Sequence, residues 1–307
     1  MREPQISIII VSYNVRELLL ACLKSLFEEK ELRLEVIVVD NCSSDDSITA
    51  IQKGYPTVKC IENKENKGFS EANNQGMRIA QGKYLFLLNP DTEVHPGALE
   101  RLFRFLENGA PYSIVGPQLL NSDGSLQISA WKDQSAKHLW KETLFLHLLH
   151  NDLPYSEQAL KQSFELESLS GAALFFHRNL FEKIGGLDPH LFWMEDIDFC
   201  FRARKVAPAF YLHDAQVTHH SGQSSRQDYR IPISNQLLSK LKFFRKNKSN
   251  FALISGVLAC FVFIHSRILM FLLLAPFRKV WRLKLKAYLY TWKRFFRYLL
   301  FNDQRVT

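Results

Sequence analysis

The 307-residue chain is long enough for one large domain with an appendage, or for two domains. Its 47% hydrophobic and 13% aromatic content fits a folded protein. Five cysteines without a C-x-x-C pair argue against a disulfide framework and a zinc site, and the apolar run after Gln5 is too short for a signal peptide, so we expect a reducing compartment.

The net charge of +8 is distributed very unevenly. Residues 234–307 carry 15 Lys and Arg and one acid, Asp303, a local charge of +14, whereas the remainder of the chain sums to −6. A basic tail interleaved with aromatic residues suits nucleic acid or anionic lipid. The long apolar run inside this tail favours lipid.

The first part of the chain alternates apolar runs with amphipathic segments. The runs are residues 6–11, 35–40, 58–61 and 84–88. Runs without polar alternation predict strands that are buried on both faces. Helical spacing predicts a helix over residues 18–28, and a second helix begins near Ser47, capped by Ser44 or Asp45. This alternation predicts an α/β fold with a parallel, right-handed sheet.

Polar residues follow three of these predicted strands. They are Ser12, Tyr13 and Asn14, then Asp40 and Asn41, then Asn89 and Asp91. In open parallel sheets the ligand lies beyond the carboxyl ends of the strands, so Asp91 is placed where a bound metal or phosphate would be. The alternative is that Pro90 and Asp91 only make a turn before the next helix.

The polar segment 63–77 predicts a loop followed by a helix. Asn66, Gly68 and Ser70 form the loop, and the helix runs to about Ala80. The N–H groups at its start would face an anionic ligand. The segment has neither the dinucleotide-binding nor the P-loop glycine pattern, which argues against those two kinds of site.

The middle of the chain is less informative. Pro96 is predicted to begin a helix, and residues 114–120 and 126–130 form a hairpin around an Asn-Ser-Asp-Gly turn. Within residues 131–167 the pattern predicts only one helix, at 138–150.

The segment 170–225 carries two further candidate groups. After a strand at 171–176, a short helix at 178–184 and a glycine turn, Glu195, Asp196 and Asp198 begin a helix, where they are either functional acids or helix-capping residues. A strand then ends at His219 and His220, which are either ligands or ordinary surface or core residues.

Seven short segments occur in a fixed order along the chain. They are SYN at 12–14, VVDNCSSDDS at 38–47, NKGFSEANN at 66–74, LLNPDTE at 87–93, GG-x-D at 185–188, MEDIDFCFR at 194–202 and H-x-x-G-x-S at 219–224. Together they resemble the family 2 glycosyltransferases, in particular a rhamnosyltransferase-like bacterial subgroup, over about residues 5–230. The resemblance implies a GT-A fold, with a Rossmann-like, mostly parallel sheet flanked by helices, a nucleotide-sugar donor and inversion at the anomeric carbon.

The resemblance also implies roles for individual residues. Asp40 would face the nucleotide base, with Ser12, Tyr13, Asn14 and Asn41 around the base and ribose. Asn66, Gly68, Asn73 and Asn89 would also bind the donor. Asp91 matches the last acid of the family's Asp-x-Asp motif for Mg²⁺ or Mn²⁺, Asp196 matches the catalytic base beside Glu195, and His219 matches a histidine of the metal or diphosphate site.

The chain departs from the family pattern at two places. Asn89 stands where the first acid of Asp-x-Asp is expected, so we expect either a lower metal affinity or a greater dependence of metal binding on the diphosphate and His219. Ala207 and Pro208 replace a glycine that often follows the R-x-R segment.

The residue types suit the implied chemistry. A leaving nucleoside diphosphate needs charge neutralisation, which a carboxylate-held cation supplies. The attacking hydroxyl must lose a proton, which a second carboxylate accepts. One acid on each of two loops meets both needs without a covalent intermediate.

The apolar run in the tail has one formal charge, Arg267. It divides the run into 14 residues, 251–264, and ten residues, 268–277, whereas a spanning helix needs about 20. Basic residues flank both ends, so we predict two helices lying in or dipping into one leaflet. The alternative is a helical hairpin packed on the catalytic domain or across a dimer.

We therefore predict a catalytic domain at 1–230 and a membrane-associating helical region at 231–307. The predicted protein is an inverting glycosyltransferase on the cytoplasmic face of a bacterial inner membrane. Rhamnose is one candidate for the donor sugar, and we expect the acceptor to be a polyprenyl-linked saccharide. Nucleic acid is not expected as a partner, and the C-terminal helices allow an oligomer. The alternatives are a non-catalytic nucleotide-sugar or polysaccharide binder, a nucleotidyltransferase and, least favoured, a nucleic-acid-binding protein.

Overall fold

The computed structural model describes residues 3–109, 112–146, 155–156, 158–220 and 229–301. The chain divides into two compact units. Unit 1 is Met1–Asp133, Pro154–Pro189 and Glu195–Ser221, and unit 2 is Gln134–Leu153, His190–Met194 and Gly222–Thr307. Unit 2 thus includes two segments that precede the predicted boundary at residue 230.

Strands are found in unit 1. In chain order they are β1 Ile6–Ser12, β2 Leu34–Asp40, β3 Lys59–Glu62, β4 Tyr84–Leu88, β5 Thr92–Val94, β6 Ile114–Leu120, β7 Leu126–Gln127, β8 Ala130–Trp131, β9 Phe164–Leu166, β10 Ser168–Leu169, β11 Ala173–His177 and β12 Ala209–His219. The main sheet has the order β3-β2-β1-β4-β11-β6-β12-β5, with β7 on β6 and β9 on β12, and β8 pairs with β10 separately.

Helices occur in both units. They are α1 Arg16–Phe27, α2 Ser47–Gly54, α3 Phe69–Ile79, α4 Ala98–Glu107, α5 Ala136–Thr143, α6 Arg178–Ile184, α7 Glu195–Ala203, α8 Arg230–Asn247, α9 Asn250–Leu274 and α10 Lys279–Phe301. A short 3-10 helix spans Ala159–Lys161. Helices α5, α8, α9 and α10 belong to unit 2, and the others belong to unit 1.

The predicted α/β fold is confirmed, and its parallel pairs are the run β3-β2-β1-β4 and the pair β6-β12. Strands β1, β4 and most of β2 are buried along their length because their apolar side chains are covered on both faces. Beyond β4 the sheet is mixed, since β11 runs antiparallel to both β4 and β6. The parallel pairing expected from the sequence therefore occurs in the N-terminal run and again between β6 and β12.

Two apolar clusters lie on opposite faces of the sheet. Ile8 and Ile10 of β1 pack in the cluster that contains the apolar faces of α1 and α4, whereas Ile9 packs with α3 and α7. Alternate residues of one strand thus enter different cores, as the period of two requires. Ser12 and Asp40, which end β1 and β2, and Asn89, which follows β4, belong to neither cluster.

Two predicted helix boundaries and one detail of helix capping differ from the structure. Helix α4 begins at Ala98 rather than Pro96, because Gly97 adopts a left-handed conformation with φ +74°. The residue before α2 is Asp46, yet the Asp45 carboxylate accepts the Ser47 N–H. The helix predicted at 138–150 is α5, which ends at Thr143, and residues 147–150 lie outside the described residues.

The break predicted at Arg267 is wrong, because α9 is one continuous helix of 25 residues. The Arg267 guanidinium donates to the carbonyl oxygens of Thr143 (2.5 Å) and Glu142 (2.7 Å). Both carbonyls lie in the last turn of α5, so a cation there is stabilised by hydrogen bonding and by the helix dipole. In the described part of the chain, α9 is the one helix long and apolar enough to cross a membrane.

Helix α9 has one covered and one exposed face. Gly256 packs so closely on α8 that an added Cβ would lie 2.6 Å from the Phe244 ring. The opposite face exposes large apolar side chains at helical spacing. They are Phe251, Ile254, Leu258, Phe261, Leu269, Leu272 and Leu273. We refer to these seven residues as the α9 stripe.

Candidate functional site

Unpartnered oxygen atoms mark the carboxyl ends of three adjacent strands. Ser12 Oγ ends β1, Asp40 Oδ1 ends β2 and Asn89 Oδ1 follows β4, and each is buried without a hydrogen-bond partner among the described residues. Ser12 lies opposite Asp40 in the parallel register. Leaving a buried polar atom unpaired costs about 1–3 kcal/mol, so three such atoms along one sheet edge indicate a place that a ligand completes.

One of the two Asp40 carboxylate oxygens accepts a hydrogen bond from the protein. Its Oδ2 accepts the Ser43 N–H at 2.9 Å, which fixes the side chain while Oδ1 stays unpaired. Asn14, with φ 54°, donates its N–H to Ser43 Oγ and accepts the Ser44 N–H at its Oδ1. The loops after β1 and β2 thereby brace each other, and Tyr13 between them is 49% exposed.

Asn41 holds the loop before α3. Its Nδ2 donates to Asn66 Oδ1 (2.9 Å) and to the Gly68 carbonyl (3.3 Å), and its Oδ1 accepts the Lys67 N–H. Gly68 precedes α3 with φ +79°, a backbone conformation that favours glycine. In the structure, Asn41, Asn66 and Gly68 therefore form one hydrogen-bonded loop at the start of α3.

Asn73 and Asn74 are both buried within α3. The Asn73 amide donates to the Phe69 carbonyl one turn earlier, so this side chain is held against its own helix. The Asn74 amide pairs with both backbone groups of Leu187. An added Cβ on Gly186 would lie 2.1 Å from Asn74 Oδ1, which explains the small residue in the turn after α6.

His219 faces Asp91 at the junction of β4, β5 and β12. Its Nε2 lies 3.3 Å from Asp91 Oδ1, and its Nδ1 lies 2.7 Å from Gln127 Oε1. Gln127 directs its amide nitrogen to two carbonyl oxygens, those of the Asn121 side chain and the His219 backbone, which leaves its Oε1 to accept from Nδ1. In the neutral ring this places the proton on Nδ1 and turns the Nε2 lone pair toward Asp91.

His220 has a different environment. Its Nε2 lies 2.7 Å from Glu93 Oε1, its Nδ1 lies 2.8 Å from Ser122 Oγ, and its backbone N–H donates to the Asp91 carbonyl. Of the two histidines, His219 is thus the one whose ring faces Asp91.

The residues around Asp91 fit a cation that is shared with a ligand. Two lone-pair donors, His219 Nε2 and Asp91 Oδ1, face each other, and Asn89 places its amide nitrogen 3.4 Å from the same Nε2 while its Oδ1 is unpaired. Three or more His, Cys, Asp or Glu residues do not cluster anywhere in the described ranges. A divalent ion held here would therefore take its remaining oxygen ligands from a diphosphate and water.

Asp196 is fixed at the start of α7. Its Oδ2 accepts the Gly171 N–H (2.9 Å) and its Oδ1 accepts the Ile197 N–H (2.8 Å). Burial raises the pKa of this carboxyl group above its ordinary value, although the two N–H donors favour the ionised form. Asp196 as a whole residue is half-buried, and its carboxylate is held in one orientation with raised basicity.

The neighbouring acids of α7 differ from Asp196. Glu195 is 9% exposed, and Asp198 is fully buried. Asp198 Oδ2 accepts from Arg202 Nε at 2.7 Å, and the same guanidinium donates to the carbonyl oxygens of Ile184 and Gly186. Asp198 thus anchors the turn after α6.

The sequence did not identify Gln127 or Gly171 as site residues. Gln127 orients His219, and Gly171 orients Asp196 through its backbone N–H. The sequence pointed to Gln127 only through the predicted hairpin at 114–130. The second strand of that hairpin is short and ends in the polar side chain of Gln127. Gly171 acts through its backbone N–H, which every residue type except proline provides.

Comparison with known proteins gives the following similarities. Residues 7–185 match the sequence model described as glycosyl transferase family 2. An N-acetylglucosaminyl-diphospho-decaprenol L-rhamnosyltransferase of Mycobacterium tuberculosis is 26% identical over 240 residues, which cover 72% of this chain and 78% of that protein.

Solved structures share the fold. A mannosyltransferase from Pyrobaculum calidifontis, crystallised with GDP-Man and Mn²⁺, superposes with a TM-score of 0.58 at 16% identity, covering 98% of this chain and 88% of that one. Residues 1–349 of S. aureus TarS superpose with a TM-score of 0.54 at 15% identity, covering 85% and 70%. At these identities the likeness concerns the fold.

Proposed function

The chain belongs to glycosyl transferase family 2 and is a glycosyltransferase with the GT-A fold, and from that premise we propose that it moves a sugar from a nucleoside diphosphate to a saccharide acceptor with inversion. The observation that carries the proposal is the row of unpaired oxygens at the ends of β2, β1 and β4. Asp40 Oδ1 accepts a hydrogen bond from the base, and Ser12, Tyr13, Asn14 and Asn41 border the base and ribose.

The diphosphate binds between the start of α3 and Asp91 in this proposal. Asn66 and Gly68 shape the loop that presents the first N–H groups of α3, which favour an anion. Asp91 and His219 would hold Mg²⁺ or Mn²⁺, with Asn89 beside them. When bound, the ion neutralises charge that develops on the leaving diphosphate. Gln127 keeps the His219 lone pair directed toward that position.

Asp196 acts as the general base. Its two N–H donors hold the carboxylate in one orientation, and its raised pKa increases its affinity for the proton of the attacking hydroxyl. The oxygen of the acceptor then bonds to the anomeric carbon as the bond to the nucleoside diphosphate breaks. One displacement inverts the anomeric centre. Glu195 borders the same position, whereas Asp198 is occupied by Arg202.

The acceptor class is proposed from the relative and from unit 2. The mycobacterial relative is named for transfer of L-rhamnose to a decaprenol-linked diphosphate sugar, so rhamnose and a polyprenyl-linked saccharide are our leading substrates. The α9 stripe provides an apolar surface, and residues 229–301 contain Lys and Arg but no Asp or Glu. We place this unit on anionic lipid at the cytoplasmic face of a bacterial inner membrane.

A thermal-shift screen tests the donor site. The full chain is heated with UDP-, GDP- and dTDP-sugars, each with and without Mn²⁺, because a ligand at 100 times its Kd stabilises the folded state by about 2.7 kcal/mol. Asp40→Asn should weaken donor binding by roughly tenfold, the effect of losing about 1.4 kcal/mol. Asp46→Asn is the matched control, since Asp46 is exposed and its φ of 57° also suits Asn.

The same samples separate the alternative functions. Transfer to a saccharide acceptor with release of a nucleoside diphosphate supports the proposal. Donor binding without transfer or hydrolysis would identify a non-catalytic binder, and release of pyrophosphate would identify a nucleotidyltransferase. A chain whose melting temperature no nucleotide sugar changes would contradict the proposed donor site.

A further inference from the structure

A groove of about 560 Å³ lies between α8 and α10 in unit 2. The lining residues are Tyr229, Arg230, Leu283, Lys286, Leu289, Tyr290 and Lys293. On α10 the positions 283, 286, 290 and 293 recur every three or four residues, so they form one face of the helix. The lining combines cations, phenols and two leucines on that face and at the start of α8.

The walls of the groove are held together by buried contacts. Arg294 of α10 donates to Ser234 Oγ (2.8 Å) and Asn235 Oδ1 (2.5 Å) of α8. On the covered face of α10, Thr291 and Phe295 are fully buried. Because both helices are fixed along their contact, the groove is formed before any ligand arrives.

The charge of the lining indicates an anionic ligand. Lys286 and Lys293 contribute two positive charges, and Arg230 adds a guanidinium to the same lining. The groove also begins at the N-terminus of α8, whose partial positive charge favours an anion. The two lysine charges exceed the single negative charge of a common phospholipid phosphate and suit a diphosphate.

The apolar part of the lining indicates that the anion carries a hydrocarbon group. Leu283 and Leu289 lie in the groove beside the cations and remain exposed. A free inorganic anion would leave both leucines in water. A ligand with a diphosphate at one end and an isoprenoid chain at the other would cover them while its charge faces the lysines.

We propose that this groove binds the diphosphate and first isoprenoid units of a polyprenyl-linked acceptor. The inference rests on the proposed function, which supplies the acceptor class, and adds a binding site for it in unit 2. Lys286 and Lys293 bind the diphosphate, the phenols of Tyr229 and Tyr290 donate to its oxygens, and the leucines contact the hydrocarbon.

Binding is measured with the full chain in a neutral detergent. The probes are farnesyl diphosphate, farnesol, inorganic pyrophosphate and phosphatidylglycerol. Farnesyl diphosphate should bind at least about tenfold more tightly than each of the other three, because it alone combines a diphosphate with an isoprenoid chain. Lys286→Ala/Lys293→Ala should weaken that binding by at least about tenfold. Lys279→Ala/Arg297→Ala is the control, since it removes the same charge from exposed positions of α10 outside the groove.

Three results would overturn the site. Equal weakening by both double variants would show diffuse attraction to the basic tail. Equal affinity for phosphatidylglycerol would show a general anionic-lipid surface, and equal affinity for pyrophosphate would show an anion site without a lipid component.

Steady-state kinetics with a lipid-linked acceptor distinguish a failure of this inference from a failure of the proposed function. Lys286→Ala/Lys293→Ala should raise KM for a farnesyl-diphosphate-linked acceptor while kcat and the donor-induced thermal shift stay unchanged. An unchanged KM would contradict the groove. Tight farnesyl diphosphate binding by a chain that transfers no sugar would support the groove and contradict the proposed function.

Discussion

His219 and His220 are adjacent in sequence, but their rings face different carboxylates. His219 Nε2 lies 3.3 Å from Asp91, and His220 Nε2 lies 2.7 Å from Glu93. The first pair stands beside the unpaired Asn89 oxygen at the end of β4. In the second pair, the other ring nitrogen of His220 is hydrogen-bonded to Ser122 Oγ. The two pairs therefore provide a matched experiment within a few residues of one another.

Asp91→Asn should remove the Mn²⁺-dependent part of donor binding and reduce transfer by roughly 10²–10³-fold, the usual scale for losing one group that stabilises developing charge. Glu93→Gln makes the same chemical change in the other pair and should alter transfer by less than about threefold, because exposed ion pairs contribute little. Calorimetric titration of Mn²⁺ with nucleoside diphosphate measures the first effect. Equal losses in both variants would contradict the assignment of Asp91.

Gln127→Leu should weaken metal-dependent donor binding by about 10–100-fold, the usual effect of losing a group that orients a histidine ligand. The reason is that His219 Nδ1 loses its acceptor, so the ring is free to turn or to change tautomer. Gln127→Glu keeps an acceptor oxygen and should restore most of the affinity. The readout is the Mn²⁺-induced thermal shift with donor present. A shift in Gln127→Leu equal to that of the unaltered chain would show that Gln127 has no orienting role.

Asp196→Asn should reduce transfer by about two to four orders of magnitude while donor binding persists, because the base is lost and the fold is kept. The raised pKa also predicts a pH effect. Ionised Asp196 is disfavoured by burial, so its cost to stability appears as pH rises from the ordinary Asp range through the raised pKa and is absent at lower pH.

The Asn variant loses an acceptor for one of the two N–H groups at every pH, whereas the cost of ionisation falls on the unaltered chain alone. The stability of the variant relative to the unaltered chain should therefore rise from pH 4 to pH 7. Melting curves across that range check the sign. A variant that becomes less stable as pH rises would indicate that Asp196 mainly serves as a charged cap of α7.

Asp198→Ala should lower the free energy of unfolding by about 3 kcal/mol, the scale for removing one partner of a buried ion pair. Arg202 would keep its carbonyl contacts and lose its counter-charge. Glu100→Ala breaks an ion pair of the same i, i+4 spacing with the exposed Arg104 of α4 and should cost less than about 0.5 kcal/mol. Urea denaturation compares them. Equal costs would show that the Asp198 pair behaves as a surface pair.

Replacing Ile254 and Leu269 of the α9 stripe by Gln should abolish flotation with anionic liposomes, because each buried side chain contributes about 1.5–3 kcal/mol. These residues are 68% and 64% exposed. Ile79→Gln/Tyr112→Gln changes two exposed apolar residues of unit 1 and should leave flotation unchanged. If the α9 variant floats normally, or the unaltered chain does not float at low salt, the membrane role must be replaced by self-association or packing.

Much of the fold was predictable because its signals are local. The apolar run at the start of the chain specifies a strand with two covered faces, and β1 enters both cores as expected. Turn residues after such runs then place Ser12, Asp40 and Asp91 at one sheet edge. Neither step requires knowledge of distant residues.

The wrong predictions concern side chains whose environment is set by residues that are distant in the sequence. A single arginine in an apolar run resembles a helix break, but Arg267 is stabilised by carbonyl groups more than 120 residues earlier in the chain. Likewise, Asn73 and Asn74 are equivalent in sequence, yet Asn74 pairs with the turn at Leu187 whereas Asn73 bonds within α3. Periodicity cannot show which buried amide finds a distant partner.

The hydrogen bonds between α5 and α9 form only after a long stretch of chain has been synthesised. Trp140 reaches its partner Ser255 across 115 residues of sequence, and Thr143 reaches Arg267 across 124. At about 5–20 residues per second, a ribosome needs about 6–23 seconds to synthesise the first of these intervals. During that time the strands β1 to β4 are complete, whereas α5 has emerged without the helix that covers it. Helix α5 is therefore the segment most in need of a chaperone, or of early targeting to a membrane, while the chain is being made.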